Sequence, residues 1–300
     1  MLLPLLLVVL CCLAFNYSEA FTPHREPLRS SRLSRLLPLH SSKGFGSRSS
    51  SSSSSSKKSA PPSASKAAAQ RGALKEPVGI KDAILNHCPS FNLSHPGVRV
   101  LHDDPPVIEI ENFFDAKTCD EYISNAERVG VNIGQSKTFA NAGSVRTSTT
   151  WYMRYRDVLE FIRGINKVTG CAIETYEEPQ IVRYETGQQF SYHLDAIPKS
   201  MLDGSGQRVA TVICYLNDVA LGGCTVFKDL KLQVKPVKGK ALVFFPAYHS
   251  GAPDDRTEHC GQVAFDTKYI AQLWIHQRAY SPVVVQGNSQ QEAIELMQRK

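Results

Sequence analysis

The stretch YETGQQFSYHLD, residues 184–195, decides how the rest of the chain reads. It ends in His193-Leu194-Asp195. In a strand, residues two apart face the same side. The imidazole of His193 and the carboxylate of Asp195 can therefore converge on one point. Two histidines and one carboxylate on one face of a metal leave its other positions open. A lone His-x-Asp is a weak signal, because such pairs arise on many surfaces, so its neighbours have to support it.

The chain on either side of this stretch, from residue 180 to residue 275, is nearly all strand. Residues 180–184 form one, and 209–216, VATVICYL, are an unbroken apolar run fit for a strand buried on both faces. Gly222-Gly223 turns the chain before 224–227, and further strands are predicted over 232–236, 241–245, 263–265 and 269–275. Upstream, 107–110 alternates as a strand. Asp115 is a good N-cap for a helix carrying Cys119, Tyr122, Ile123 and Ala126 on one face. A second helix is predicted over 157–169, stopped by Gly170. The expected fold is mainly β with flanking helices, an α+β arrangement. It would be a double-stranded β-helix, or jelly roll, with two supporting helices on one side.

The N-terminal part differs in kind. MLLPLLLVVLCCLAF is too short for a comfortable span, and Ser18-Glu19-Ala20 follows as a small-residue cleavage site, so residues 1–20 read as a signal peptide. Residues 21–80 hold 11 Lys and Arg against 2 Asp and Glu, with unbroken serine over 49–56. That composition reads as a disordered basic tail or a transit peptide. The order signal then basic tail resembles the two-part presequence of algae with secondary plastids. Two destinations are open, the endoplasmic reticulum lumen or a secondary plastid. The folded part starts after Pro96-Gly97, with its motifs over 105–280, and 281–300 is a C-terminal tail or helix.

Residues 81–300 carry 23 basic and 25 acidic groups, so the net charge of +6 belongs to the tail. No nucleic-acid partner is inferred from it, nor any membrane span in the mature chain. Cys88, Cys119, Cys171, Cys214, Cys224 and Cys260 include no Cys-x-x-Cys pair, which argues against a zinc site of that type. Some could pair in an oxidising lumen. Asn92-Leu93-Ser94 is a glycosylation sequon for a chain in the secretory route. Oligomeric state is not indicated.

A second metal histidine must come from a distant strand, and His249, His259 and His276 are the candidates. Lys268 helps to choose. A dicarboxylate that chelates the metal at one end needs a fixed cation for the other, and His259 lies close to Lys268 in sequence. His249 sits in a Ser-Gly-Ala-Pro turn, and His276 lies beyond the lysine. His259 is the first choice.

Taken together, these pieces resemble the prolyl 4-hydroxylase (alpha subunit-like) branch of the Fe(II)/2-oxoglutarate-dependent dioxygenases. The matching residues are Tyr184, Gly187, Gln188, Phe190, His193 and Asp195, then the run from Arg208 through Thr211 to Asn217. They continue with Gly222-Gly223, Thr225, Phe227, Pro236, Gly239, Ala241 and Phe244-Phe245, and the segment from His259 to His276. Phe113-Phe114 and Val145-Arg146-Thr147-Ser148 fit upstream. The resemblance implies Fe(II) on His193, Asp195 and His259, with Lys268 pairing the distal carboxylate of 2-oxoglutarate. Tyr184 and Thr225 would line that pocket, and Arg208, Trp274 and His276 would lie near the substrate groove. It also implies O2 as co-substrate, L-ascorbate as reductant, and a proline-containing peptide or protein as substrate. The activity implied is hydroxylation of peptidyl proline with decarboxylation of 2-oxoglutarate to succinate and CO2.

One departure stands out. Relatives of the animal collagen type and of plants usually place the lysine ten positions after the distal histidine, whereas His259 and Lys268 are nine apart. Glu258 occupies the ten-residue position, and other prolyl hydroxylases use nine. Alternatives are the same chemistry on a non-proline or small-molecule substrate, or a non-catalytic jelly-roll binding module. Residues 139–150 and 196–207, rich in small and polar groups, are expected lids.

Overall fold

A computed structural model of the chain describes residues 78–135 and 146–299. The signal peptide, nearly all of the basic tail and residues 139–145 of the first expected lid lie outside them. In chain order the elements are α1 (Ile80–His87), β1 (Val98–His102), β2 (Val107–Ile110) and α2 (Ala116–Val129), followed by β3 (Val131–Gln135), β4 (Thr149–Tyr152) and α3 (Leu159–Thr169). Then come β5 (Gln180–Tyr184), β6 (Phe190–His193), β7 (Arg208–Tyr215), β8 (Thr225–Phe227) and β9 (Leu232–Val234). The chain continues with β10 (Ala241–Phe244), β11 (His259–Gly261), β12 (Lys268–His276) and α4 (Gln290–Gln298).

The strands form two antiparallel sheets, as expected for a jelly roll. The large one runs β1-β2-β10-β7-β12-β5-β4-β3 and the small one β6-β11-β8-β9. β7 shows why its sequence does not alternate: every residue is buried. Val212 and Cys214 face the helices, while Ile213 and Tyr215 face the small sheet. The core between the sheets is built from Tyr184, Phe190, Phe227, Leu242, Phe244 and Ile270.

The helices start and stop where local chemistry tells them to. The Asp115 side chain accepts the Thr118 N–H at 2.7 Å and caps α2. α3 comes after a 3-10 turn, Tyr155–Val158, and ends at Gly170, whose φ of 64° suits a residue without Cβ.

Two expectations are corrected. The predicted strand over 263–265 is an irregular connection with an isolated bridge from Ala264 to Gly222, and Phe265 is exposed. The strand in that region is β11, inserted between β6 and β8. Three residues ending in glycine are too short to show alternation. The folded part also begins earlier than 97. α1 has the only moderate amphipathicity of a short helix, yet Ile84, Cys88 and Phe91 join the helix-side core, as does Ala293 of α4. Four helices therefore pack on this side: the two expected supports, the expected C-terminal helix, and α1, which the sequence does not predict.

This packing makes α1 part of the stability of the domain. Ile84→Ala is expected to cost about 2–5 kcal/mol, read as a lower denaturation midpoint with an unchanged slope.

Candidate active site

β6 and β11 pair so that His193 and His259 are direct cross-strand partners. Opposed residues of an antiparallel pair project to the same face, and the two ring centroids are 4.3 Å apart. Asp195 lies just past the end of β6. Its Oδ1 is 3.6 Å from His193 Nε2 and its Oδ2 is 3.8 Å from His259 Nε2. One ligand atom from each of the three lies within 4.8 Å of the others, and all three residues are buried. This is the one such buried convergence among the described residues, and it is the trio expected from sequence.

Each imidazole is oriented by its other nitrogen. His193 Nδ1 is 2.9 Å from the Ser191 carbonyl, and His259 Nδ1 is 3.0 Å from the Thr257 carbonyl. A carbonyl only accepts, so Nδ1 carries the proton and Nε2 keeps its lone pair for a metal. Burial, and then the neighbouring His193, hold His259 down to about 4, so it is neutral at ordinary pH. For Asp195, burial would raise the pKa. His259, His193 and Arg208 outweigh it and hold the carboxyl well below the usual range. Thr211 Oγ1 donates to Asp195 Oδ2 at 2.8 Å. Phe190 stacks on His193 at 3.5 Å between centroids, and Phe244 meets His259 edge-on at 4.6 Å.

The loop before His259 is itself anchored. Thr257 donates through N–H and Oγ1 to the Asp254 carbonyl, at 3.0 and 2.7 Å. Asp254 Oδ2 in turn lies 3.1 Å from His87 Nε2 at the end of α1.

The donor set, its protonation and its burial fit a divalent metal with a facial triad. Glu258 does not compete: its carboxylate pairs with Lys228 at 2.6 Å. His249 is exposed, and His276 serves elsewhere.

Lys268 is buried at the start of β12, opposite Tyr184 of β5. Its Nζ donates to the Gly223 carbonyl at 2.6 Å and lies 5.3 Å and 5.6 Å from the ring centroids of Tyr184 and Tyr215. Burial holds it down to about 8. Gly223 has φ of +66°, and a Cβ there would lie 3.3 Å from Lys268 Cδ. The absence of a side chain is thus part of the socket. One cavity is lined by Tyr184, His193, Asp195, Thr211, Thr225, His259, Lys268 and Trp274. Thr225 Oγ1 and Tyr215 OH are hydrogen-bonded at 2.9 Å.

Arg208, Trp274 and His276 also come together. The Arg208 guanidinium lies 3.8 Å from the Trp274 ring centroid. It grips Glu177 with Nε and Nη2 at 2.6 and 2.9 Å, and its Nη1 reaches the Asp195 carbonyl at 3.4 Å. His276 Nε2 bonds the same Glu177 carboxylate, and its Nδ1 lies 2.8 Å from Ser205 Oγ. The second expected lid, 196–207, borders a cleft lined by Glu177, Ile197, Met201, Arg208, His276 and Tyr280. The indole N–H of Trp274 and both terminal nitrogens of Arg146 are buried without a partner among the described residues. Arg146 Cζ lies 5.3 Å from the Phe190 centroid.

Thr211, Glu177 and Tyr215 do not stand out in the sequence as site residues. A polar Thr211 inside the apolar VATVICY run is the available signal for the first. Glu177 carries no such mark, because its partners are 31 and 99 positions away.

A jelly roll with a buried His/Asp/His convergence and a buried lysine defines a class of metal-dependent oxygenases. Residues 179–276 match the sequence model of the 2OG-Fe(II) oxygenase superfamily. The curated proteins that the chain is similar to are prolyl 4-hydroxylases. Prolyl 4-hydroxylase subunit alpha-1 of Homo sapiens is 35% identical over 140 residues, 44% of this chain and 26% of its own length. Prolyl 4-hydroxylase 2 of Arabidopsis thaliana is 29% identical over 230 residues, 65% of this chain and 75% of its own length. A viral collagen prolyl hydroxylase from Paramecium Bursaria Chlorella virus-1, solved as a 2OG complex, aligns at 26% identity and a TM-score of 0.47. It covers 57% of this chain and 95% of that one. The chain spans about a quarter of the length of the animal relatives it matches.

The geometry predicts one Mn(II) bound per chain under anaerobic titration. Asp195→Ala abolishes binding and Glu258→Ala leaves it unchanged. Thr211→Val, which removes the hydroxyl holding the carboxylate, weakens it about 10- to 100-fold.

Proposed function

We propose that this protein hydroxylates peptidyl proline using Fe(II), O2 and 2-oxoglutarate. The observation that carries this reading is the shared cavity holding His193, Asp195 and His259 at one end and the Lys268 ammonium at the other. When bound, the iron supplies the oxygen chemistry, in which 2-oxoglutarate is decarboxylated to succinate and CO2 and a prolyl C–H bond is hydroxylated.

The protein's own part is positioning and exclusion of water. His193, Asp195 and His259 would hold the iron. Lys268 has three donors and gives one to Gly223, so two remain for the distal carboxylate of 2-oxoglutarate. The Tyr215–Thr225 hydroxyl pair and Tyr184 close that end. Trp274 and Arg208 lie on the opposite side, beside the Asp195 carbonyl. The partnerless donors of Trp274 and Arg146 suit carbonyl groups of an extended peptide. L-ascorbate would serve as the reductant. The leader-like residues 1–20 and the basic stretch to residue 80 support delivery through the secretory route, to the endoplasmic reticulum lumen or a secondary plastid. Imaging a fluorescent fusion to residues 1–80 separates the two.

Incubation with Fe(II), ascorbate, 2-oxoglutarate and proline-rich peptides is expected to release succinate and add one oxygen to the peptide by mass. His193→Ala abolishes both. Succinate release without peptide oxidation across a peptide array would overturn the proline assignment. Lys268→Met raises the KM for 2-oxoglutarate about 10- to 100-fold, the loss of one charged hydrogen-bonded contact. The ammonium binds the dicarboxylate only when protonated, and its pKa in the free protein is about 8. Affinity for 2-oxoglutarate therefore holds below pH 8 and falls as pH rises through and beyond it. Lys268→Arg flattens that profile, because a guanidinium stays charged.

A further inference from the structure

Cys88 caps the end of α1, and Cys171 comes directly after the Gly170 cap of α3. They are 83 positions apart in sequence, yet their sulfurs lie 3.7 Å apart. Ser90 Oγ is 3.8 Å from one sulfur and 3.9 Å from the other, and it donates to the Thr169 carbonyl at 2.7 Å. Both sulfurs also lie 3.7 Å from that carbonyl. No other two sulfurs approach each other this closely among the described residues. Cys88 is buried and Cys171 is half-buried, so one member is reachable from solvent and the other is not.

We propose that Cys88 and Cys171 form a redox-active pair, a disulfide site that staples the α1 segment to the end of α3. The asymmetry suits stepwise exchange. The hydrogen bond shared by the two sulfurs holds Cys171 down to about 7, while the same contact and burial push Cys88 up. The outer sulfur is therefore the nucleophile. Its thiolate attacks a low-molecular-weight disulfide such as oxidised glutathione, forming a mixed disulfide and releasing one glutathione thiol. Cys88 then loses its proton, attacks the Cys171 sulfur and expels the second. Two protein thiols are oxidised and one glutathione disulfide is reduced to two thiols, so atoms and electrons balance.

The bond has something to hold. The α1 segment joins the domain through side chains such as Ile84 and Phe91 and through a few backbone bonds, among them His249 N–H to the Asn86 carbonyl at 2.8 Å. A link closing a loop of this length restricts the unfolded chain strongly. It also fixes the residue next to His87, which reaches Asp254.

The test equilibrates the full chain across ratios of reduced to oxidised glutathione. Free thiols are then alkylated, and peptides are mapped by mass. Wild type is expected to lose about 2 Da, two hydrogens, with one linked peptide joining residues 88 and 171. Its Tm rises by about 5–10 °C, and cleavage within 78–91 slows under limited proteolysis. Dithiothreitol reverses all three. Cys171→Ser, at the half-buried position, folds but shows neither link nor shift. The proposal is overturned if Cys88 and Cys171 alkylate at every ratio, if the link joins other cysteines, or if it forms without protecting 78–91. The wild-type map needs no variant, so a folding defect in one cannot obscure the outcome.

Discussion

The register between β6 and β11 is the constraint on which the site depends. It sets His193 opposite His259. A slip by one residue would send one ring to the outer face of the small sheet. Asp195 is bound to the other sheet, through Thr211 of β7. The three donors therefore converge only when the two sheets have closed on each other. The aromatic rings of Phe190 and Phe244 serve both purposes, filling the space between sheets and holding the imidazoles in place.

Charge is distributed unevenly around this frame. Arg208, Glu177 and His276 form a buried cluster whose members satisfy one another. For Glu177, burial would raise the pKa, but Arg208 and His276 outweigh it and hold the carboxylate ionised. Lys268, at the other end of the cavity, has a carbonyl and two aromatic faces but no carboxylate among the described residues. Burying a charge without a counter-ion is costly. A dianionic ligand would relieve that cost, and the metal donors line the same cavity. The buried charges of the Arg208 cluster are thus matched, and that of Lys268 is left for a ligand.

Much of this is legible in the sequence, for a physical reason. His193 and Asp195 are two apart on one strand, and the period of a strand is local information. Lys268 stands out as a charge at the mouth of an apolar strand. The doubly buried β7 announces itself by its unbroken apolar run. The features that stay hidden are non-local. β11 escapes a reading of the sequence because three residues carry no period, so the predicted strand falls on 263–265 instead. Glu177 looks like any acid in a Glu-Glu pair, since its role rests on two residues far along the chain. α1 is indistinct from the tail because eight residues form a weak pattern, and its burial is decided by a core built much later in sequence.

The support beneath His259 reaches further back than the oxygenase motifs do. His87 steadies Asp254, whose carbonyl holds Thr257, whose own carbonyl orients the imidazole. A fragment trimmed to begin at residue 105 would keep every donor and the lysine, yet it would leave Asp254 facing an empty slot. Such a fragment would carry the full signature of the reaction and lack part of its foundation.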